Sequence, residues 1–559
     1  MQRYRRVFTP IQGGSLGTGD ADTLESRLAR VLAYHERTKH RVSGYARGPE
    51  ALDWSGQPDP FRHFDGCARL SLPLLADTLT TPFSALSQPG SVAPQPVSLE
   101  TIGLLFELSL GLSAWKTYGP DRWAVRCNPS SGNLHPTESY LLCRGIEPLD
   151  DGLYHYRCEN HSLERRRGSG PAAGLDQPPE LLIGLSSIHW REAWKYGERA
   201  FRYCQLDLGH AIGALRYAAA ALGWQLRVVE SADWAQIARR LGLDRRQDFV
   251  GVESEEAEVL LEVVTDRRDP TLPDLPIDPA TRAGADTWYG TANVLDRHPM
   301  YHWPVIDEVA EATRRAGESP RQAAGETFPP LAAKTDPTPA ATLIRQRRSA
   351  QRFDSGKALA RDTFYDLLDT LLPRALPPWD VWRFPARMHL ALMVHRVEDL
   401  EPGLYILPRA AGAAEALRAA LNPSFDWQRP TGCPEHLPLF RLAAGHCGSI
   451  AKTIHCHQAI ATDSAFALGM LAEYEAALQP APWLYRELHW EAGLLGQALY
   501  LEAEARGLRG TGIGCFFDDS FHELLGLTGR TYQSLYHFTV GYPITDSRII
   551  SSAPYAERD

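Results

Sequence analysis

Three short segments of this chain concentrate residues that can bind or react. The first is Arg126-Cys127-Asn128-Pro129-Ser130-Ser131-Gly132-Asn133-Leu134-His135-Pro136. A Pro-Ser-Ser-Gly-Asn turn offers backbone N–H groups, two hydroxyls and an amide at close approach. Such a surface suits a polar, planar heterocycle with a phosphate tail; by itself it is also an ordinary polar turn. The second is Arg345-Gln346-Arg347-Arg348-Ser349-Ala350-Gln351-Arg352-Phe353, with four arginines and a serine in eight residues. Guanidinium forks match phosphate geometry, and the bland alternative is a solvated basic helix end. The third is Gly510-Thr511-Gly512-Ile513-Gly514-Cys515, followed by SLYHFTVGYPITDSR ending at Arg548. Closely spaced glycines let a backbone lie against a flat ligand. The spacing is not that of a dinucleotide-binding fingerprint, since no helix opens on it. GGSLGTG near residue 13 fails the same test, because no strand precedes it. The run His455-Cys456-His457 invites a metal reading, but adjacent ligands on one element point apart and no second pair stands at zinc-site spacing. No metal is expected.

These segments need elements to position them, and the chain partly resembles itself. IEPLDDGLY at 146–154 and VEDLEPGLY at 397–405 each follow an apolar run and are offset by 251 residues. Each reads as a strand, a polar turn and a second strand. RYCQLDLGHAIGALRYAAAALGW from Arg202 and RELHWEAGLLGQALYLEAEARGL from Arg486 are offset by 284, with Gly209/Gly493 and Gly223/Gly507 in register. Each is a helix with apolar residues three to four apart and a C-terminal glycine. The same offset relates RRLGLD at 239–244 to ELLGLT at 523–528. Three matches in one order point to duplication of a unit of about 200 residues, in the usual domain size range.

The chain has 559 residues, too many for one core. We read residues 1–268 as a first domain with a Pro-rich insertion at 41–95, 269–340 as a linker or wrapping arm, and 341–559 as a second domain. The net charge of -10 gives no basic face for nucleic acid. The start, MQRYRRVFTPIQGG, has no apolar stretch behind its charges, and no run of 18 apolar residues occurs, so neither a secretory signal nor a membrane span is expected. Nine scattered cysteines without a CxxC suggest a reduced, cytoplasmic protein.

RRSxxxF near a domain start, PSSxNxxP before a strand, GIG ahead of a helix ending in LGL, and a terminal strand with VGYP and a following arginine together resemble the nitroreductase superfamily. The resemblance covers most of both halves. It implies an α+β fold in which two tandem domains form an intramolecular pseudo-dimer with FMN at their interface. The first half is similar to the SagB/ThcOx-type dehydrogenases, which include thiazoline and oxazoline oxidases of peptide natural-product pathways. The matching residues are Tyr34-His35-Glu36-Arg37-Thr38-Lys39-His40, PSSGNLHPTE, and Trp194-Lys195-Tyr196-Gly197-Glu198-Arg199 through Arg202-Tyr203, then Asp207-Leu208-Gly209-His210. That branch uses the Lys-Tyr pair for proton transfer. A lysine can lower the pKa of an adjacent phenol, and a desolvated lysine can act as a base near neutral pH.

By carry-over, Arg347, Arg348, Ser349 and Arg548 would hold the phosphate and ribityl chain, and Arg352 would approach the pyrimidine edge. Arg126, Pro129, Ser130, Ser131 and Asn133 would contact the ring from the first half. Gly512, Ile513 and Gly514 would lie along the ring face, and Lys195 and Tyr196 would move the proton. The halves have diverged. The offset of 251 sets Asp380-Val381-Trp382-Arg383-Phe384 where the first half has its polar turn, and the first half has HERTKH where the second has its arginines. One complete site is therefore expected, with the other degenerate. The resemblance implies an FMN-dependent oxidoreductase acting on a small-molecule or peptide intermediate, alone or within a biosynthetic complex. The alternatives are an NAD(P)H-dependent nitro or quinone reductase and a non-catalytic flavin-binding partner. The fused chain would be its own dimer, so further oligomerisation is not required.

Overall fold

The strand pairs expected around Tyr154 and Tyr405 both form in the computed structural model, which describes residues 23–168, 180–265, 287–317 and 328–558. The glycine-rich stretch near residue 13 lies outside the described residues. In the first half β1 (Leu112–Tyr118) and β2 (Asp121–Arg126) make a hairpin that leads into the polar turn. Then come β3 (Thr137–Arg144), β4 (Gly152–Arg157), β5 (Ser162–Gly168), β6 (Glu180–Ser187), β7 (Gln225–Val228) and β8 (Glu256–Val264). The second half supplies β9 (Met388–Val394), β10 (Gly403–Leu407), β11 (Phe440–Ala444), β12 (Phe466–Glu473), β13 (Arg509–Ile513) and β14 (Tyr532–Gly541).

Both halves build an antiparallel sheet with one connectivity: β5-β4-β3-β6-β8-β7 in the first and β11-β10-β9-β12-β14-β13 in the second. The repeated glycines have a steric cause. A Cβ on Gly152 would come within 2.1 Å of the Arg167 carbonyl, and one on Gly403 within 2.2 Å of the Ala443 carbonyl. Only glycine lets the second strand of each unit approach the third so closely. The fold is thus α+β, with helices laid on antiparallel sheets.

The helices repeat as well. α1 (Leu24–Arg37) precedes the first unit. α2 (His189–Tyr196) and α3 (Ala200–Ala221) join β6 to β7, and α4 (Trp234–Leu241) joins β7 to β8. α5 (Pro304–Ala312) and α6 (Ala340–Gln346) lie between the units, while α7 (Leu484–Glu504) and α8 (Asp518–Leu525) occupy the places of α3 and α4. α4 and α8 end on Gly242 and Gly526, both left-handed (φ 68° and 70°), as a C-terminal glycine allows. Every residue of α3 is buried, against the sheet on one side and α7 on the other.

α3 and α7 cross where Gly209 meets Gly493. A Cβ on Gly209 would stand 2.3 Å from the Trp490 carbonyl, and one on Gly493 would stand 2.1 Å from the Leu206 carbonyl. Backbone here rests on backbone. Apolar side chains of both helices and both sheets run together in one buried core.

The Pro-rich insertion and the inter-half segment are less independent than composition suggests. Arg69–Ser71 and Thr287–Trp288 each pair with β5, Phe64–Asp65 pairs with Thr291–Ala292, and α5 packs on α1. Of the two readings of the inter-half segment, linker or wrapping arm, residues 287–317 behave as the arm, lying on the first half's surface. At the C-terminus, β15 (Ile550–Ser552) pairs with β1, so the last strand of the chain extends a hairpin of the first half. Among the described residues no helix is long and apolar enough to cross a membrane.

Gly209→Ala tests the crossing. Glycine to alanine inside an unencumbered helix gains up to about 1 kcal/mol. Here the added methyl must push two backbones apart, and we expect a loss of about 1–3 kcal/mol, as for overpacked cores, in denaturant unfolding.

Candidate functional site

The polar turn, the arginine segment and the glycine strand converge on one cavity of about 550 Å³ between the halves. That volume lies within the usual range for small-molecule sites, roughly 300–1,000 Å³. Arg126, Pro129, Ser130, Ser131 and Asn133 line it from the first half. Arg347, Arg348, Ser349, Gly512, Ile513 and Gly514 line it from the second. The C-terminal segment closes one side with Asp546 and Ser551.

The turn is held by Asp207 of α3. Its carboxylate accepts from the Ser130 hydroxyl (2.6 Å), the Ser131 N–H (3.0 Å) and the Ser131 hydroxyl (2.9 Å). Ser130 Oγ in turn accepts from the His135 N–H at 2.8 Å, and the Asn133 amide donates to the Ala124 carbonyl at 2.8 Å. Gly132, Asn133 and His135 all adopt positive φ (59°, 61° and 52°). Two non-glycine residues in that region cost free energy that the surrounding bonds must offset, a pattern common at ligand sites. Arg126 ties the turn to the insertion through the Pro60 carbonyl (2.6 Å).

Polar atoms without partners remain around the cavity. Asn128 Oδ1, His135 Nδ1, His210 Nδ1, Arg126 Nε and Arg348 Nε are buried and bond to nothing in the protein. Unpaired buried polar atoms are rare and call for a partner. Burial holds His135 and His210 neutral, His210 pushed down to about 3. The cavity therefore offers acceptors and neutral ring nitrogens along one wall and cations at one end, which fits a planar heteroaromatic ring carrying a phosphate.

The cationic end differs from the sequence expectation. Arg347 is buried and spends its guanidinium on the Arg126 and Cys127 carbonyls (3.1 and 3.2 Å), 5.0 Å over the Tyr500 ring. It fastens the second half to the polar turn. Arg348 faces the cavity, and burial followed by the charge of Arg347 pushes it down to about 10. Ser349 shares a 2.8 Å hydrogen bond with Tyr500, which also accepts from the Gly512 N–H at 3.0 Å. Arg548 is turned outward: its Nη2 bonds Asp546 at 2.7 Å, and its side chain is 69% exposed. Arg352 is also exposed and outside the lining. The cations that join Arg348 are Lys116 of β1 and Arg509 of β13, neither singled out from sequence. Each is one ordinary cation in its strand, and only the packing of the two halves gathers them. Burial, then Arg348 and Arg509, lowers Lys116, so the cluster is short of negative charge.

Lys195 and Tyr196 end α2 directly behind the turn. A Cβ on Gly132 would lie 2.5 Å from the Tyr196 hydroxyl and 3.2 Å from Lys195 Nζ. Tyr196 lines the cavity and stacks edge-on with Tyr203 at 4.6 Å. Lys195 lies just outside the lining, its Nζ 5.6 Å over Trp54. Tyr196 thus faces the cavity that carries the polar turn, and Lys195 stands behind that turn. The phenol departs from expectation: burial, then the nearby Glu192, raises Tyr196 well above 10, so it stays a proton donor.

The equivalent place in the second half carries other side chains. Glu491, opposite Asp207 by the offset of 284, accepts from Arg409 (2.6 Å) and the Arg387 N–H (3.0 Å). Asp380 makes a bidentate pair with Arg216 of α3 at 2.7 and 2.8 Å. Trp382 and Phe384 stack at 4.6 Å, and the Arg383 N–H donates to Glu230. Ion pairs and stacked rings occupy what the first half leaves open.

Residues 344–542 match the nitroreductase family, and an N-terminal region precedes them. A Methanocaldococcus jannaschii protein that carries the nitroreductase name is 29% identical over 112 residues, which is 18% of this chain and 57% of that protein. The chain therefore matches a little over half the length of that relative. A crystal structure from Anabaena variabilis, named for a nitroreductase, superposes over 92% of this chain and 99% of its own, with TM-score 0.67 and 21% identity. At that identity the likeness speaks for the fold. A chain of the E. coli microcin synthetase McbBCD complex with truncated pro-MccB17 covers 44% of this chain and 94% of its own, with 18% identity and TM-score 0.26.

Losing one charged hydrogen bond costs about 1.5–3 kcal/mol. Arg348→Gln should accordingly weaken binding of a phosphate-bearing ligand such as FMN about tenfold or more, while Arg548→Gln should change it less than threefold. Titration by flavin fluorescence quenching measures both.

Proposed function

With a nitroreductase domain at 344–542 as premise, we propose that this chain is an FMN-dependent oxidoreductase acting on a peptide or natural-product intermediate, of the kind oxidised from azoline to azole. One observation carries this reading. The hydroxyl- and amide-bearing turn of the first half and the cation cluster of the second meet in a single cavity whose buried polar atoms lack partners.

FMN, when bound, supplies two-electron hydride chemistry that no side chain can perform. The chain supplies position and charge. Lys116, Arg348, Arg509 and Ser349 would hold the phosphate. The turn at 128–135 and the backbone of 512–514 would hold the ring. Lys195 Nζ would take the proton that the substrate gives up, and the Tyr196 hydroxyl, kept protonated by burial, would donate a hydrogen bond that orients substrate or lysine. Because the cavity draws on both halves of one chain, no second copy is needed to complete it.

General-base groups contribute about 10²–10⁴-fold. Lys195→Ala with Tyr196→Phe should therefore retain FMN but lose at least about 100-fold in anaerobic flavin bleaching by an azoline-bearing peptide. Unchanged bleaching would remove the pair from the mechanism. Rapid bleaching by NADPH, unaffected by the double substitution, would replace the reading with that of a reductase.

A further inference from the structure

Behind the polar turn lies a carboxyl that the mechanism above leaves unused. Glu192 sits on α2, three residues before Lys195, with no exposed surface, and neither of its oxygens completes a hydrogen bond within 3.5 Å. The Asp207 carboxyl of α3 and the Ser130 hydroxyl stand beside it. Cys204 of α3 and Lys195 and Tyr196 of its own helix complete the titratable groups around it.

Two carboxyls side by side in a dry site cannot both ionise. The bonding partners decide which one keeps the proton. Asp207 receives three bonds from the turn, all from donors, as an anion requires. Glu192 receives none. Burial and then the charge of Asp207 push Glu192 well above the usual carboxyl range, and burial lifts Asp207 to about 7. The direction at Glu192 agrees with the geometry, and at Asp207 the donors of the turn pull against burial.

We propose that Glu192 is protonated at neutral pH beside the ionised Asp207, so that the two carboxyls turn one negative charge, rather than two, toward Lys195. Glu192 is then the proton-holding positioning residue behind the Lys195–Tyr196 pair. It lets Asp207 grip the Ser130–Ser131 turn without a second charge beside the amine that must accept the substrate proton. This role rests on the reading of that pair given above; the protonation state does not.

The test is urea unfolding of the full chain between about pH 5 and about pH 7, wild type against Glu192→Gln. An acid whose folded pKa is raised makes the folded state bind more protons than the unfolded state. Stability then falls as pH rises above the unfolded value. The unfolding constant of the wild type should therefore rise up to about tenfold per pH unit more steeply than that of the variant. Infrared difference spectra at neutral pH should show a protonated-carboxyl absorption in the wild type that Glu192→Gln removes. Parallel unfolding profiles, or no such absorption, would overturn the proposal. If glutamine is poorly tolerated, Glu192→Met, similar in length and without polar atoms, is read by the same two criteria. Neither readout needs flavin. A chain that takes up no FMN would sink the functional reading and leave this result standing.

Discussion

The contact on which the rest depends is the backbone-to-backbone crossing of α3 and α7 at Gly209 and Gly493. Helix axes normally stand 8–10 Å apart, with side chains between them. Glycine on both sides removes the side chains and draws the helices together. That closeness brings Asp207 and His210 of α3, and Tyr500 of α7, to the walls of one cavity. A side chain at either glycine would separate the turn from the cation cluster before it touched any binding residue.

Around this near-symmetric hinge the two halves have taken different parts. Both sheets have the same connectivity, and the offsets of the repeats carry through to strands, helices and C-terminal glycines. At one end Asp207 anchors a turn of small polar residues and leaves space. At the other, Glu491 anchors an arginine, Asp380 binds Arg216, and stacked aromatics fill the gap. The same scaffold position thus lines a cavity in one half and carries ion pairs and stacked rings in the other. The side chains, rather than the backbone, make the difference.

Much of this was legible in the chain itself. The glycine registry foretold the paired helices, because glycine at a crossing and at a helix end has a steric cause visible as spacing. The polar turn and Arg348, Ser349 and Gly512–Gly514 converge as their composition suggests. The misses have a common origin. Arg548 and Arg352 read as clamp residues but are exposed, while Arg347 lines the cavity and also joins the halves. Lys116 and Arg509 do the facing instead, and nothing local marks them. They meet only across the two halves, one on β1 and the other on β13, far apart in sequence. Glu192 was silent for the same reason: a glutamate in a helix shows its importance only when burial beside a second carboxylate is known. Alanine, proline and aspartate carry little periodicity, so sequence left the inter-half segment open between linker and wrapping arm, and edge pairing with β5 makes part of it an arm.

The central claim is that one cavity, assembled from both halves, holds one flavin while its counterpart is closed. The direct measurement is the number of FMN molecules bound per chain at saturation, from absorbance after equilibrium dialysis against excess FMN. The account predicts one, falling toward zero when Gly132 is replaced by a bulky residue and unchanged by Trp382→Ala. Two per chain would contradict it.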